Sequence, residues 1–327
     1  MAEINKYISV NILILSHNRA KSICKLINHF YKLICPSNVQ FSISIIDDKS
    51  TEDNVYLIKE IQKKHSNLYL FENKENKGTF YNRWFLLTKA TADYVFFIDD
   101  DDDVSDNLFI EFGKQPNIDL IRTVRRFIEG DHTYIKFESL YSTLKKPVDL
   151  LYKMNLGYIT GIFISKFVYR KVLDVLKQIN VNEIHLNILE DTFYFYLIVN
   201  FCRSFIFIHS YYEYFLAATG LTVSTEKKDT NIDALKIWNL LTKVTLILQK
   251  ENVYYIPISF TKINLWYLMW VGCKKEEIKP LFRLIKAVDL KPVALTNFKN
   301  KLKCFLLKHW ITYWMLSFLI RPFLRIK

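Results

Sequence analysis

Residues 94–103 read YVFFIDDDDD, five apolar or aromatic residues running into five consecutive aspartates. Tyr94–Ile98 has the length and the β-branched and aromatic content of a core strand. Like charge at the end of such a strand is costly. Two carboxylates about 5 Å apart repel by roughly 3 kcal/mol at an effective dielectric near 20. A surface acidic loop tolerates this because water screens it. Against a core, a cation does the neutralising, and hard oxygen ligands suit Mg²⁺ or Mn²⁺, whose sites use one or two carboxylates plus substrate phosphates. What flanks the run decides between loop and cation site.

Working outward, strand-like and helical periods alternate. Ser9–Leu15 reads as a strand, Ala20–Leu33 as a helix, Phe41–Ile46 as a strand and Asn54–Lys64 as a helix. Leu68–Glu72 is a third strand, a helix follows Asn76-Lys77-Gly78 to about Ala90, and Tyr94–Ile98 is the fourth strand. This βαβαβαβ order implies an α/β fold with a doubly wound, mostly parallel sheet. Such sheets bind ligands at the carboxyl ends of their strands. Strands one, two and four end in His17-Asn18-Arg19, Asp47-Asp48 and Asp99–Asp103, the polar edge a nucleotide site needs. That coincidence favours the functional reading of the aspartate run.

Residues 104–226 mix short strand-like and helical pieces, with Gly157 and Gly161 close together and the pair Glu190-Asp191 opening an apolar, aromatic helix. From about 229 onward the pattern is helical: Ile232–Lys250, Ile258–Cys273, Glu276–Val288 and a tail. The expected division is a nucleotide-binding α/β domain over 1–226 and a helical C-terminal extension over 227–327. No Gly/Ser linker separates them, so the boundary reads as a packed junction.

The chain has 327 residues, half of them hydrophobic and 16% aromatic, which predicts a substantial core and excludes wholesale disorder. Its richness in Ile, Lys, Asn, Phe and Tyr fits an AT-rich genome. Five scattered cysteines in no CxxC pair argue for reduced cytosolic thiols and against a zinc site. The N-terminus MAEINKYISVNILILS lacks a small-residue cleavage site and reads as a first strand, not a signal peptide. The net charge is +12 despite the aspartates. Residues 291–327 hold eight Lys/Arg and no acidic residue, around FLLKHWITYWMLSFLI. The eleven residues Trp310–Ile320 are too few for a confident span. Tryptophans, a tyrosine and basic flanks suit a helix on an anionic membrane surface, or one packed on protein. Basic residues gathered in an apolar tail argue against nucleic acid as a partner.

With these motifs in order, the chain resembles the inverting glycosyltransferases of family 2, which have the GT-A fold, over roughly residues 8–225. SVNILILSHNR looks like the family's opening strand and turn, SIIDDKSTED its second strand and Asp-x-Ser turn, and NKGTFYNRW its Asn-x-Gly segment. YVFFIDDDD matches its Asp-x-Asp strand end and LEDTFYFYL its Glu-Asp helix start. The resemblance implies a metal-dependent enzyme of hexosyltransferase type. It would move a sugar from a nucleotide-sugar donor, a UDP-sugar first among them, to a glycan or lipid-linked acceptor with inversion. The setting would be surface-polysaccharide biosynthesis (capsule, lipopolysaccharide or similar), on the inner face of the cell membrane.

Residue by residue, the resemblance places Ser16, Asn18, Arg19, Asn76, Gly78 and Asp100 on the donor side. Asp48 would accept hydrogen bonds from the base or ribose, and Arg83 would sit beside the donor. Asp99 and Asp101 match the motif's two aspartates: Asp99 on the ribose or sugar and sharing the Mn²⁺ or Mg²⁺, Asp101 ligating it. The run also contains the pairs Asp100/Asp102 and Asp101/Asp103. Asp191 matches the catalytic base, with Glu190 beside it. Chemically, displacing a nucleoside diphosphate needs a Lewis acid for the departing charge and a base for the attacking hydroxyl. Many members carry an Arg and a His where residues 211–224 read YYEYFLAATGLTVS, so no third protein ligand is assigned, and His209 reads as structural.

Plainer readings stand beside these. Asp47-Asp48 can be turn residues, and Glu190-Asp191 a helix N-terminus favoured by the macrodipole. Phe193–Tyr196 reads as core, and Trp266 with Trp270 as helix packing. Gly157 and Gly161 fit an acceptor site or a turn. Two other functions compete. A sugar-nucleotide nucleotidyltransferase needs a Gly-rich loop after strand one, which SHNRAKSI lacks. A non-catalytic cation-binding or membrane scaffold would not need the candidate base Asp191.

Overall fold

The computed structural model describes residues 7–135, 147, 158–184, 186, 190–216, 236–237, 240–241 and 243–248. Four strands, β1 (Ile8–Ser16), β2 (Val39–Asp47), β3 (Leu68–Glu72) and β4 (Tyr94–Asp99), alternate with α1 (Ala20–Phe30), α2 (Glu52–Gln62) and α3 (Gly78–Lys89). Then come β5 (Asp103–Val104), α4 (Leu108–Gly113), β6 (Leu120–Glu129) and β7 (His132–Ile135). After these lie β8 (Ile162–Ser165), α5 (Lys166–Leu176), α6 (Glu190–Phe201) and β9 (Phe205–Phe215). Helix α1 stops three residues before the expected Leu33, where the backbone tightens to i→i−3 bonds, Lys32 N to the His29 carbonyl at 2.9 Å and Leu33 N to the Phe30 carbonyl at 3.2 Å. Helix α2 starts two residues before the expected Asn54, where Glu52 and Asp53 face the positive end of the helix dipole.

The strands form one nine-stranded sheet in the order β3-β2-β1-β4-β8-β6-β9-β5, with β7 paired to β6. β3, β2, β1 and β4 are parallel neighbours. β8 is antiparallel to both β4 and β6, so β6 runs with β4, and β9 is parallel to β6. Six strands therefore point one way (β1, β2, β3, β4, β6 and β9), the mostly parallel, doubly wound sheet expected from the alternation.

The apolar runs are continuous because both faces of the sheet are covered. Successive side chains alternate between two cores. Leu13, Val95 and Phe97 face α3, α5 and α6. Ile12, Ile14, Phe96 and Ile98 face α1, α2 and α4. Phe193, Tyr194, Phe195 and Tyr196 are all buried, the core reading of that aromatic run. A helix apolar all round must be covered all round. Part of that cover comes from the C-terminal region: Ile237, Leu240, Leu241, Val244 and Leu248 join the same core, and the Tyr196 and Thr245 hydroxyls are 3.0 Å apart.

The boundary at 226/227, Gly157, the stretches Ile258–Cys273 and Glu276–Val288, and the tail 291–327 lie outside the described residues. Among the described residues no helix is long and apolar enough to cross a membrane. Cys24, Cys35 and Cys202 are free thiols.

Candidate active site

Parallel pairing in register lines up the strand ends. Ser16 pairs with Asp47, Leu15 with Asp99, and Asp47 with Glu72, so β1 to β4 stop along one edge. The β1–α1 and β2–α2 turns are laced together there. Asn18, in the left-handed region at φ 56, accepts from Thr51 N at 2.9 Å and donates its own N–H to Ser50 Oγ at 2.7 Å. His17 Nδ1 lies 2.9 Å from the Asp48 carbonyl.

Asp48 holds the start of α3. Its Oδ1 accepts from Lys77 N at 2.7 Å and Asn73 Nδ2 at 2.8 Å, and its Oδ2 accepts from Gly78 N at 2.9 Å. Gly78 has φ +78, which an L side chain rarely adopts, so glycine belongs at this turn. Asn76 Nδ2 lies 3.5 Å from the Asp48 carbonyl. The carboxylate assigned to the base or ribose is thus largely committed to the chain: Oδ1 is saturated and Oδ2 retains one acceptor position.

The five aspartates have five different surroundings. Asp99 lies 3.6 Å from Arg83. Asp100 is buried and lies 3.1 Å from Arg19 Nη1. Asp101 also meets Arg19, and its side chain keeps 38% of its surface open to solvent. Asp102 is buried, accepting from the Tyr212 hydroxyl at 2.6 Å and from Phe215 N at 3.1 Å. Asp103 turns to His29, whose other ring nitrogen is 3.0 Å from Asp106. The alternative pairs each include a residue committed elsewhere, Asp102 to β9 and Asp103 to α1. Asp99 and Asp101, paired with Arg83 and Arg19, keep 36% and 38% of their side-chain surface open.

Arg83 is the hub. Its side chain is 4% exposed, and one nitrogen, Nη2, lies 2.9 Å from Asp191 Oδ1, 3.4 Å from Glu190 Oε1 and 3.6 Å from Asp99 Oδ1. The structure therefore brings together residues from α3, β4 and α6. The guanidinium carbon also stands 5.5 Å from the Phe97 ring centre. Burial pushes the Asp191 carboxyl up to about 6, with Arg83 pulling the other way and Glu190 adding repulsion. Burial likewise raises Glu190 and Asp99, again opposed by Arg83. Asp100 is pushed up to about 7, by burial against the pull of Arg19.

Three further residues face this cluster. Arg122 and Arg125 on β6 are buried cations whose charge favours the ionised form of Asp191. Arg122 lies over Phe195 at 5.4 Å. Arg125 donates to Thr160 Oγ1 at 2.6 Å and is flanked by Tyr158, Tyr212 and Tyr214, with ring centres at 4.4, 4.7 and 5.1 Å. Tyr212 is the third. Arginines inside the otherwise apolar run LIRTVRRF were the available signal for β6. Nothing local marks Tyr212 among its neighbouring tyrosines. Gly161 has φ +74, and a Cβ there would meet Tyr212 Cδ2 at 2.8 Å, which makes it a packing glycine. His209 is exposed, and its carbonyl accepts from Asn107.

Fit to a divalent cation and a polar ligand follows from charge and unmet bonds. Asp99, Asp100, Asp101, Glu190 and Asp191 are five carboxylates in salt-bridge contact with two guanidiniums, Arg19 and Arg83. Even with Arg122 and Arg125 facing them the carboxylates outnumber the guanidiniums, and burial, the largest cause, raises the carboxyl pKa values of Asp99, Asp100, Glu190 and Asp191. Buried polar atoms lacking a hydrogen bond include Ser16 Oγ, Asp47 Oδ1, Thr79 Oγ1 and Arg83 Nε and Nη1. Asp191 Oδ1 is among them, since Arg83 approaches it without an aligned bond. Among the described residues no three His, Cys, Asp or Glu side chains converge as a complete metal cage. A site of one or two carboxylates completed by substrate phosphates needs no such cage, and Asp99 with Asp101 fits it.

The fold is found in solved structures at low identity. S. aureus TarS 1–349 in complex with UDP-GlcNAc is 16% identical with a TM-score of 0.59, covering 86% of this chain and 80% of that one. GalNAc-T7 with UDP, GalNAc and Mn²⁺ is 14% identical with a TM-score of 0.53, covering 88% and 59%. The sheet and its two helical layers are the GT-A fold. No curated protein matches the sequence. The profile of the family described as glycosyl transferase family 2 matches residues 11–174, from β1 through the aspartate run to α5. That match spans half of the chain and holds the strand ends that build the site: the chain belongs to glycosyl transferase family 2.

Proposed function

We propose that this glycosyltransferase moves a sugar from a UDP-sugar to a glycan or lipid-linked acceptor, with inversion, in surface-polysaccharide biosynthesis. One observation carries the reading: Arg83 Nη2 touches both Asp99, at the donor edge, and Asp191, the candidate base. Leaving-group side and attacking side then lie within one guanidinium's reach. Support for a nucleotide-sugar donor comes from TarS, solved with UDP-GlcNAc, and GalNAc-T7, solved with UDP and Mn²⁺.

In this reading Ser16, Asn18, Arg19, Asn76, Gly78 and Asp100 line the donor. The remaining acceptor position of Asp48 Oδ2 takes a base or ribose donor group. Asp99 and Asp101 would hold Mn²⁺ or Mg²⁺, which would supply charge neutralisation to the departing diphosphate. Asp191 takes the proton of the attacking hydroxyl, and a carboxyl raised to about 6 is a stronger base than an ordinary aspartate yet still ionised near neutrality. Arg83 keeps Asp191 charged, and Glu190 shares its counter-charge. A single displacement by an activated hydroxyl inverts the anomeric centre and needs no covalent nucleophile.

The same reading divides the chain into a catalytic unit over 1–226 and a helical region over 227–327. It places the protein on the cytoplasmic face of the membrane through residues 291–327, which carry eight basic and no acidic residues. Each Lys or Arg near an anionic surface contributes about 1 kcal/mol, screened by salt. Full-length protein should sediment with anionic vesicles at low salt and leave them at high salt. Failure to sediment at low salt removes the membrane assignment.

The deciding experiment incubates the protein with Mn²⁺ and a panel of nucleotide sugars and scores donor hydrolysis and transfer. Turnover of a UDP-sugar that stops in excess chelator is expected. No turnover of any nucleotide sugar, with or without a glycan acceptor, overturns the reading.

A further inference from the structure

Five adjacent aspartates leave β4 in a tight reversal, closed by Asp102 N donating to the Asp99 carbonyl at 3.2 Å. Mutual repulsion works to open such a turn. One uncharged group sits inside it. The Tyr212 hydroxyl accepts from Asp99 N at 3.2 Å and donates to Asp102 Oδ2 at 2.6 Å, bridging the first and fourth aspartates. The second Asp102 oxygen accepts from Phe215 N at 3.1 Å, so that carboxylate is pulled wholly toward β9.

The phenol itself is fixed from several sides. Tyr212 is fully buried. Its backbone pairs with Arg125 across the β6–β9 ladder, and the Arg125 guanidinium lies 4.7 Å from its ring centre. Gly161 approaches so closely that an added Cβ would fall 2.8 Å from Tyr212 Cδ2. The chain has placed a glycine where any side chain would dislodge this ring.

We propose that Tyr212 is a positioning residue for the donor site: its hydroxyl draws Asp102 out of the aspartate cluster and sets the reversal that presents Asp99 and Asp101 together at the sheet edge. The inference rests on the reading of Asp99 and Asp101 as the metal-diphosphate carboxylates. It adds a residue of β9, beyond the 11–174 family match. Tyr212 touches neither reacting group and acts through the turn.

Tyr212→Phe removes one oxygen and keeps the ring. In the full chain, we expect Mn²⁺-dependent binding of UDP, measured by calorimetry without acceptor, to weaken roughly tenfold, the upper end of the net contribution of one hydrogen bond. The Mn²⁺ concentration for half-maximal turnover and the donor KM should rise together, while kcat at saturating Mn²⁺ and donor changes less than about threefold. A purely structural role would instead lower kcat with the folded fraction and leave the Mn²⁺ midpoint unmoved. If Tyr212→Phe does not fold, Asp102→Asn weakens the same bridge from its other end and should shift the same midpoint. Wild-type protein that binds UDP with Mn²⁺ and a folded variant that binds it equally well would overturn the positioning role alone. Wild-type protein that binds no UDP with Mn²⁺ overturns the reading beneath it, and this proposal with it.

Discussion

Arg83 Nη2 stands 2.9 Å from Asp191 Oδ1, a buried guanidinium of α3 set against the candidate base of α6. Without Arg83, Asp191, Glu190 and Asp99 would share a buried space with their nearest counter-charge gone. Breaking a buried pair from one side costs about 3–5 kcal/mol. Arg83→Gln should therefore lower unfolding free energy by about 3 kcal/mol near pH 8. The loss should shrink in acid: the three folded-state carboxyl pKa values are already raised, and removing Arg83 raises them further. Groups with raised folded pKa values favour the fold below those values and oppose it above them. Urea melts at about pH 8 and about pH 5.5 measure this, and a deficit that grows in acid would contradict it.

Asp191→Asn keeps the shape and removes the basicity. Turnover should fall by roughly 10²- to 10⁴-fold with donor binding nearly intact. In the wild type, kcat/KM should decline as pH falls through about 6, where burial has placed the Asp191 carboxyl, and level off above. A profile flat down to about pH 5, or an inactive Glu190→Gln beside an active Asp191→Asn, moves the base elsewhere.

Chelation should abolish transfer and Mn²⁺ or Mg²⁺ should restore it. Asp101→Ala and Asp103→Ala should differ in kind. Asp101, half-open at the edge, should affect donor-diphosphate affinity. Asp103 faces His29, whose pKa is raised by Asp106 and Asp103 against the opposing effect of burial. Its loss should cost about 1 kcal/mol of stability. A raised histidine pKa stabilises the fold at low pH and ceases to as pH rises through it, so that cost should fade in alkali. Full activity in excess chelator, or donor affinity more sensitive to Asp103 than to Asp101, defeats the assignment.

Gly161→Ala should destabilise by about 3 kcal/mol, combining overpacking against Tyr212 and Thr123 with a left-handed backbone. Thermal melts test it; a variant within about 0.5 kcal/mol of wild type would mean the ring yields easily.

The alternation of elements, the two-sided sheet and the polar strand ends were legible in the sequence because each depends on short-range periodicity. An apolar run such as Tyr94–Ile98 carries its own evidence of burial, and consecutive βα units leave little choice about which edge collects the loops. The aspartate run is the opposite case. Five identical neighbours offer no local feature that separates a metal ligand from a turn anchor. Arg19, Arg83, Tyr212 and His29 distinguish them, arriving from α1 and its preceding turn, α3 and β9. Arg122 and Arg125 stood out only as arginines within an apolar run, and their burial under helix α6 and three tyrosines is a product of tertiary packing. Where charge would gather was legible from the residues alone, because that follows from the order of strands. Only tertiary packing decided which carboxylate each counter-charge meets, because desolvation and pairing are set by neighbours distant in the chain.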